Sequence, residues 1–284
     1  MPEGDTIFRA ALNLRRWIAG REVTAAEASG RVGAPTVRAI RALVGEQVTG
    51  VEAQGKHLLI RFASGVALHT HMRMTGSWHV YRAGERWRKP AWHAQVVLTC
   101  GERVAVCFDA PVVEVLTGPS MEARHPGLSG LGPDLLRPPV DFAEISRRVR
   151  RRPSATAIGE ILLDQRVVAG IGNIYRCEVL FLEHLDPMTP FSDIEPARLD
   201  AIFIRAADLM TANSTGGSGS DARRHFGVEM VGGARRGGPW VYRRTGRPCL
   251  VCRTPIRSTP LGVEPRTAYW CPSCQPGAPP PPHP

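Results

Sequence analysis

Apolar residues recur at helical spacing at the start of the chain and again through its second half. In residues 6–19 one face is apolar, and Gly20 ends the pattern. Asp5 and Thr6 are natural caps for this helix. Its apolar face comprises Ile7, Ala11, Leu14 and Ile18. The same periodicity predicts later helices at about residues 141–150, 155–166, 173–183 and 195–212.

Between residues 21 and 116 short β-branched, apolar runs alternate with glycine-containing turns, a pattern typical of strands. The predicted strands are residues 48–52, 57–62, 66–71, 95–99 and 104–108. The sequence therefore predicts an α+β protein whose residues 1–118 form an antiparallel two-layer β-sandwich with flanking helices.

Composition shifts mark the remaining boundaries. The Pro- and Gly-rich residues 119–139 are predicted to link the β domain to a helical domain at 140–238. Within the helical domain, residues 213–238 are polar and glycine-rich, which is typical of a mobile loop. A cysteine-containing segment at 239–275 follows, and the Pro-rich tail 276–284 is predicted to be disordered.

The segment 163–178, LDQRVVAGIGNIYRCE, joins two of the predicted helices through a short glycine-rich turn. Gly170 and Gly172 permit backbone angles that a β-carbon would forbid, and Asn173 opens the second helix. A helix N-terminus attracts anions, so the turn is a candidate site for a nucleic-acid phosphate. A helical hairpin that only packs explains the spacing equally well.

The cysteines carry the strongest local signal. Cys249 and Cys252 form one C-x-x-C pair, and Cys271 and Cys274 form another after eighteen residues. This spacing is typical of a zinc ribbon that holds one structural Zn²⁺, and four thiolates leave no open position for catalysis. Cys100, Cys107 and Cys177 are expected to be ordinary buried thiols.

Charge indicates a polyanionic partner. The 284 residues carry a net charge of +10, and only two of the 36 basic residues are lysines. Because arginine supplies the positive charge almost everywhere else in the chain, a lysine indicates a position that needs a compact ammonium or an amine that exchanges protons. Lys56, in the turn before a predicted strand, is the candidate, whereas Lys89 is interpreted as incidental.

No run of about 18 apolar residues and no apolar N-terminal core is present, so we expect no membrane contact. Seven cysteines with four in C-x-x-C spacing suit a reducing compartment. A cytoplasmic, nucleoid-associated protein is therefore expected.

The first three residues offer a nucleophile. Removal of Met1 would leave Pro2 as a free secondary amine, and an α-amine has a pKa of about 8 in model peptides. Such an amine can attack an aldehydic carbon and form an iminium cation that promotes elimination. Glu3 could protonate a sugar oxygen or a leaving group. Proline near an N-terminus is also common at a helix start.

The predicted strand that includes His69 ends in the segment HTHMRMTGSW. Arg73 or Met74 at this tip could wedge into a base stack. Filling of the core by methionine and a solvated arginine are the commoner roles.

Together these motifs resemble the formamidopyrimidine-DNA glycosylase and endonuclease VIII family over nearly the whole chain. They are Pro2-Glu3-Gly4, Gly55-Lys56-His57, Leu163-Asp164-Gln165, AGIGNIY at 169–175, and VYRRTGRPC before the cysteine quartet. The PEG opening looks more like the endonuclease VIII branch. The resemblance implies a helix-two-turn-helix domain and a zinc-ribbon hairpin at the C-terminal end.

The resemblance also implies a site. Pro2 matches the Schiff-base nucleophile at the sugar C1′, Glu3 the general acid, and Lys56 the lysine that assists β-elimination and holds a phosphate. Arg266 matches the arginine of δ-elimination and phosphate binding, and Asn173 the phosphate-binding asparagine.

Further residues are assigned to the base stack. Met74 resembles the residue that fills the place of the damaged base. The sequence departs from the family at Asp5-Thr6 and at residues 109–114, DAPVVE, where a loop often supplies an arginine and an aromatic wedge. Arg73 is a candidate replacement for that arginine.

The implied activity is a bifunctional DNA glycosylase and abasic-site lyase of base-excision repair. Its expected substrate is double-stranded DNA with oxidised bases, pyrimidines favoured, or abasic sites, with single strands left open. A monomer that cleaves by β,δ-elimination is expected. The alternative is a non-catalytic zinc protein that binds damaged or abasic DNA, for which a free Pro2 beside a carboxylate would have no use.

Overall fold

The computed structural model describes residues 2–118, 125–215, 224, 226 and 238–277. The chain forms two compact units. The first comprises Met1–Gly130 with Ser214–Ala222, and the second Leu131–Asn213 with Arg223–Pro284. Among the described residues, no helix combines the length and apolar character needed to cross a bilayer.

The first unit is built on two four-stranded antiparallel sheets, in the orders β1-β6-β7-β5 and β2-β3-β4-β8. Its helices are α1 (Gly4–Ile18) and α2 (Ala34–Arg41), with short 3₁₀ turns at Gly30–Val32 and Ala91–His93. Its strands are β1 (Ala25–Ala28), β2 (Val48–Gln54), β3 (His57–Phe62), β4 (Val66–His71), β5 (Ser77–Arg82), β6 (Ala94–Cys100), β7 (Arg103–Phe108) and β8 (Val112–Thr117).

Helix α1 supplies one wall of the core of this unit. Its apolar face packs in one cluster with strand residues from both sheets, among them Val51, Leu68 and Leu98. The helix begins at Gly4, so Asp5 and Thr6 are not its caps as predicted. Glu3 is the N-cap residue, because its carbonyl accepts the first helical bonds. Gly20 follows the helix with a φ of 76°, as a stop signal should.

All five predicted strands are confirmed to within two residues, as β2, β3, β4, β6 and β7. The prediction lacked β1, β5, β8 and helix α2. The antiparallel two-layer arrangement is confirmed. Cys100, Cys107 and Cys177 are buried, as expected.

The second unit is mainly helical and ends in a two-stranded antiparallel ribbon. Its helices are α3 (Phe142–Arg150), α4 (Ile158–Ile161), α5 (Asn173–Leu182) and α6 (Pro196–Thr215), with a 3₁₀ turn at Phe191–Asp193. The ribbon strands are β9 (Arg257–Leu261) and β10 (Arg266–Trp270).

The helix predicted at 155–166 is wrong in extent, because only the single turn α4 forms there. The amides of Ile158 and Gly159 bond to the carbonyls of Thr189 and Pro187, and they hold this stretch against the segment that follows α5. The Asp164 carboxylate accepts the Arg166 amide at 2.9 Å, a local turn that competes with a continuing helix.

Helix α6 runs three residues further than predicted, so residues 213–215 are helical rather than part of a loop. Most of the predicted mobile loop, residues 216–223, 225 and 227–237, lies outside the described residues. So do residues 119–124 of the predicted linker and 278–284 of the predicted disordered tail.

Candidate functional site

The N-terminal residues meet the first turn of α1. Glu3 is the N-cap residue and is fully buried, and Pro2 is half-buried beside it. The positive end of the helix dipole stabilises a nearby carboxylate and disfavours a protonated amine. This arrangement brings a carboxyl group next to the residue that becomes an amine when Met1 is removed.

Lys56 lies with Gly55 in the two-residue turn between β2 and β3, where Gly55 has a φ of 58°. Burial lowers the pKa of His57 to about 3 and that of His71 to about 4, and the Lys56 charge adds to both effects. The ammonium therefore lies among imidazole rings that are neutral at physiological pH.

Those rings belong to a cluster that sequence reasoning missed. His57 Nδ1 lies 2.9 Å from His69 Nε2, and His69 Nδ1 lies 3.3 Å from Glu114 Oε2. His125 Nε2 lies 2.8 Å from the same Glu114 oxygen. The only available signal was strand register, since His57 faces His71 across β3 and β4 and His69 faces Glu114 across β4 and β8.

The turn between β4 and β5 presents Arg73 and Met74 to solvent. Met74 is 57% exposed, so it does not fill the core, and Arg73 adopts a left-handed φ of 42°. In the same turn, the Thr75 hydroxyl donates a hydrogen bond of 2.8 Å to the Asp109 carbonyl oxygen. The structure thus removes the core-filling alternative for Met74.

Asp109 is a centre of local contacts at the end of β7. Its carboxylate lies 3.3 Å from Lys89 Nζ and 2.8 Å from His93 Nδ1. Lys89 also lies over the Phe108 ring at 5.7 Å, so its contacts are with its own unit. Residues 109–114 are not one loop here, because β8 begins at Val112.

In the second unit, the Gln165 side chain holds the turn that precedes α5. Its amide nitrogen donates to the carbonyls of Leu163 and Ile171, each at 2.9 Å, and its oxygen accepts the Gly170 amide at 3.1 Å. Gly170 has a φ of 99°, which favours glycine there. Asn173 is the first residue of α5, as predicted.

Helix α5 is tied to the ribbon strand that carries Arg266. The Asn173 amide donates to the Thr267 carbonyl at 2.9 Å. The fully buried Arg176 donates to the Arg266 carbonyl at 3.0 Å. The predicted phosphate residues Asn173 and Arg266 are therefore brought together within this unit, although one amide hydrogen of Asn173 is already used.

The four paired cysteines converge at the end of the ribbon. Their sulfur atoms all lie within 4.8 Å of one another. Two of the separations are 3.9 Å, between Cys249 and Cys274, and 3.3 Å, between Cys252 and Cys271. A tetrahedral ion with bonds of about 2.3 Å separates its sulfur ligands by about 3.8 Å, so the cluster can bind a metal.

The ribbon separates its two arginines. Arg266 pairs with Leu261 at one end, and Arg257 pairs with Trp270 at the other. Both side chains are exposed. The two arginines are therefore spread along the ribbon, about 14 Å apart at some 3.4 Å per residue.

Two family models match the sequence. The formamidopyrimidine-DNA glycosylase N-terminal domain matches residues 1–111. The formamidopyrimidine-DNA glycosylase H2TH domain matches residues 131–223. The chain belongs to the formamidopyrimidine-DNA glycosylase and endonuclease VIII family.

Curated members of this family align over nearly the full chain. The protein called probable endonuclease 8 2 of Streptomyces coelicolor is 38% identical over 280 residues, which are 98% of this chain and 95% of that protein. The DNA-(apurinic or apyrimidinic site) lyase Nei2 of Mycolicibacterium smegmatis is 34% identical, over 97% of this chain and 99% of that protein. Endonuclease 8 of Escherichia coli is 32% identical, over 97% of this chain and 100% of that protein.

Solved structures of the glycosylase family share the fold. The complex of Lactococcus lactis Fpg with DNA that contains an abasic site has a TM-score of 0.78 at 20% identity, and the alignment covers 97% of this chain and 100% of that one. The complex of the same enzyme with N7-benzyl-Fapy-dG DNA has a TM-score of 0.76 at 21% identity, and the alignment covers the same shares of the two chains.

Family membership makes this chain a DNA glycosylase with abasic-site lyase activity, an enzyme of base-excision repair.

Proposed function

We propose that this enzyme excises oxidised bases from double-stranded DNA, with pyrimidines preferred, and then cuts the abasic strand by β- and δ-elimination. The observation that carries the proposal is the position of Pro2 and the buried Glu3 at the first turn of α1. A non-catalytic DNA binder would gain nothing from this pair.

The reaction begins at Pro2. Once Met1 is removed, the Pro2 nitrogen attacks C1′ of the damaged nucleotide, the base leaves with the electrons of the glycosidic bond, and the nitrogen loses its proton to solvent. Glu3 donates a proton to the sugar ring oxygen or the leaving base, so the C1′–O4′ bond opens to an iminium cation. This cation acidifies the C2′ hydrogen, and loss of that hydrogen expels the 3′ phosphate.

Lys56 acts beside this centre. Its ammonium projects from a two-residue turn beside two imidazoles that burial keeps neutral. We assign it the phosphate contact that supports β-elimination.

The second unit and the β4–β5 turn hold the DNA. Asn173 and Arg266 bind phosphates, and Arg266 also supports δ-elimination at the 5′ side of the sugar. Met74 enters the base stack where the damaged base has left, and Arg73 contacts the orphaned partner base. Flipping a nucleotide costs a few kcal/mol, which these contacts offset.

One structural Zn²⁺ held by the cysteine quartet fixes the ribbon. The sulfur separations of 3.3 and 3.9 Å support a tetrahedral thiolate site, and thiolates are soft ligands suited to zinc. With all four positions filled by protein, the ion would take no part in the reaction. We expect the enzyme to act as a monomer on chromosomal DNA.

Borohydride trapping on abasic duplex DNA tests the proposal. The parent enzyme should form a covalent adduct, because borohydride reduces the iminium to a stable amine. Pro2→Ala should weaken or abolish trapping, and an uncleaved N-terminal tag should abolish strand cleavage.

Pro35→Ala is a matched control, because Pro35 also lies at the start of a helix in the same unit. It should leave trapping unchanged. If the tagged protein still cleaves the strand, the nucleophile is another residue, with Lys56 the first to examine.

A further inference from the structure

We propose that His69, Glu114 and His125 form a second metal site, for a divalent ion of the zinc type, in the first unit. One nitrogen from each imidazole and a carboxylate oxygen lie within 4.8 Å of one another. This site is separate from the cysteine quartet, which belongs to the second unit.

The distances suit a small cation. The two imidazole nitrogens approach one carboxylate oxygen, Glu114 Oε2, at 3.3 and 2.8 Å. Bonds of about 2.0 to 2.1 Å to a tetrahedral ion would separate the ligand atoms by about 3.3 Å. One pair already has this spacing, the second must widen by about 0.5 Å, and the two imidazole nitrogens, which lie within 4.8 Å of each other, must come to the same separation.

The donor set also defines the class of ion. Two imidazoles and one carboxylate suit Zn²⁺ and its neighbours Co²⁺, Ni²⁺ and Cu²⁺, whereas Mg²⁺ and Ca²⁺ prefer oxygen ligands. Three protein ligands leave one position for water. Glu114 is 44% exposed at its side chain, so an ion can reach the site from solvent, while His69 is buried.

His57 supplies the outer contact that a ligating histidine usually has. His69 Nε2, on the side of the ring opposite the proposed ligand atom, lies 2.9 Å from His57 Nδ1. When His69 Nδ1 binds the ion, Nε2 carries the proton and donates a hydrogen bond to His57 Nδ1, so the proton of His57 moves to its Nε2. Such a contact fixes the tautomer and orientation of the ligand.

The proton changes can be followed atom by atom. Without an ion, His69 Nδ1 and His125 Nε2 both donate to Glu114, and His125 Nδ1 accepts the Gly127 amide at 3.1 Å. On binding, each ligand nitrogen gives its lone pair and its proton moves to the other ring nitrogen. His125 Nδ1 then becomes a donor, so the Gly127 amide must turn away.

The register of three strands holds this arrangement in place. His69 and Glu114 are direct cross-strand partners on β4 and β8, and His57 lies on the neighbouring strand β3. His57 directly follows Lys56. An ion here would therefore add positive charge near the lysine turn without using any residue assigned to the reaction.

Metal content and cobalt spectra test the site on the full-length protein. After saturation with Zn²⁺ and gel filtration in a low-micromolar free-zinc buffer, the parent should hold two ions per chain. Glu114→Gln and His125→Asn should each hold one. His57→Phe should bind the second ion about 10- to 100-fold more weakly, as loss of an outer contact does.

His79→Asn is the matched control, because His79 lies in the same unit and contacts Tyr81 instead of the cluster. It should keep two ions. Cobalt added to protein that already holds one Zn²⁺ should give visible d–d bands without the near-ultraviolet charge-transfer band of cobalt thiolates.

Two results would overturn the proposal. One is a parent protein that binds a single ion under these conditions. The other is a second ion that survives in both Glu114→Gln and His125→Asn. Glu114 and His125 are not fully buried, so their variants should fold even if a His69 variant does not. The outcome does not depend on the proposed glycosylase substrate.

Discussion

Gly76 closes the turn that carries Arg73 and Met74, and the surrounding backbone leaves no room for a side chain. A β-carbon at Gly76 would lie 2.7 Å from Met72 Cα, 2.8 Å from the Met72 carbonyl oxygen and 2.9 Å from Ala110 Cα. All three are backbone atoms, which cannot rotate away as the end of a flexible side chain can. Gly76→Ala must therefore displace the turn.

The size of the effect follows from this contact. Forcing a methyl group into a packed site costs about 1 to 3 kcal/mol. For a unit of this size each kcal/mol lowers the melting temperature by about 4 °C, so Gly76→Ala should melt about 4 to 12 °C below the parent. Gly50→Ala is the control, because no atom lies within 4 Å of its added carbon. Its free energy of unfolding should change by no more than about 0.5 kcal/mol.

Two single-turnover assays then separate stability from function. Below the melting range, Gly76→Ala should lose excision of an oxidised pyrimidine more than cleavage of a preformed abasic site, because the displaced turn must fill the space left by the flipped base. Equal melting temperatures for Gly76→Ala and Gly50→Ala would refute the packing argument. Equal losses in the two assays would refute insertion by this turn.

Three further predictions concern the second unit. Cys271→Ser should lose zinc and weaken DNA binding while the first unit stays folded. Cys177→Ala alters a buried thiol outside the quartet and should keep zinc. Metal analysis and circular dichroism check both variants. Asn173→Ala should reduce affinity for abasic DNA with an unchanged salt slope, since it removes a neutral donor. Arg266→Ala should lower the log-log salt slope by about 0.9 and leave a 3′ unsaturated aldehyde in place of 3′ phosphate on denaturing gels; unchanged 3′ phosphate would limit Arg266 to phosphate binding.

The sequence was sufficient wherever the decisive pattern is local. The apolar face of α1, the apolar runs of β3 and β4, and the C-x-x-C pairs each lie within a short stretch. Asn173 at the start of α5 was also predictable, because glycines mark the preceding turn. The residues of the candidate site that these stretches contain could therefore be named in advance.

Local patterns failed where distant segments decide the structure. The apolar spacing at 155–166 is helical, but carbonyls of the segment at 187–189 accept the amides of its first turn. The Asp164 side chain then forms a local turn that ends the helix. The histidine cluster draws on β3, β4, β8 and the turn at His125, so its existence depends on strand register. No single stretch of sequence contains that information.

Helix α5 explains how the ribbon and the glycine turn can act together. Two of its buried charged residues bond to the C-terminal part of the unit. Arg176 donates to the Arg266 carbonyl. The Glu178 carboxylate accepts three backbone amides at 2.6 to 3.1 Å, those of Trp240, Val241 and Tyr242. Burial raises the pKa of Glu178 to about 7, although these three amides lower it in part. A buried charged group is tolerated only while its hydrogen bonds hold.

The consequence is a mechanical coupling within the second unit. Asn173 and Arg176, one turn apart on α5, bond to adjacent carbonyls of β10, at Thr267 and Arg266. A shift of the ribbon by even an ångström would break both bonds together. The two proposed phosphate contacts, Asn173 and Arg266, therefore keep a fixed separation only while the ribbon is folded. Loss of the metal should for this reason weaken both contacts at once, although neither residue is a ligand.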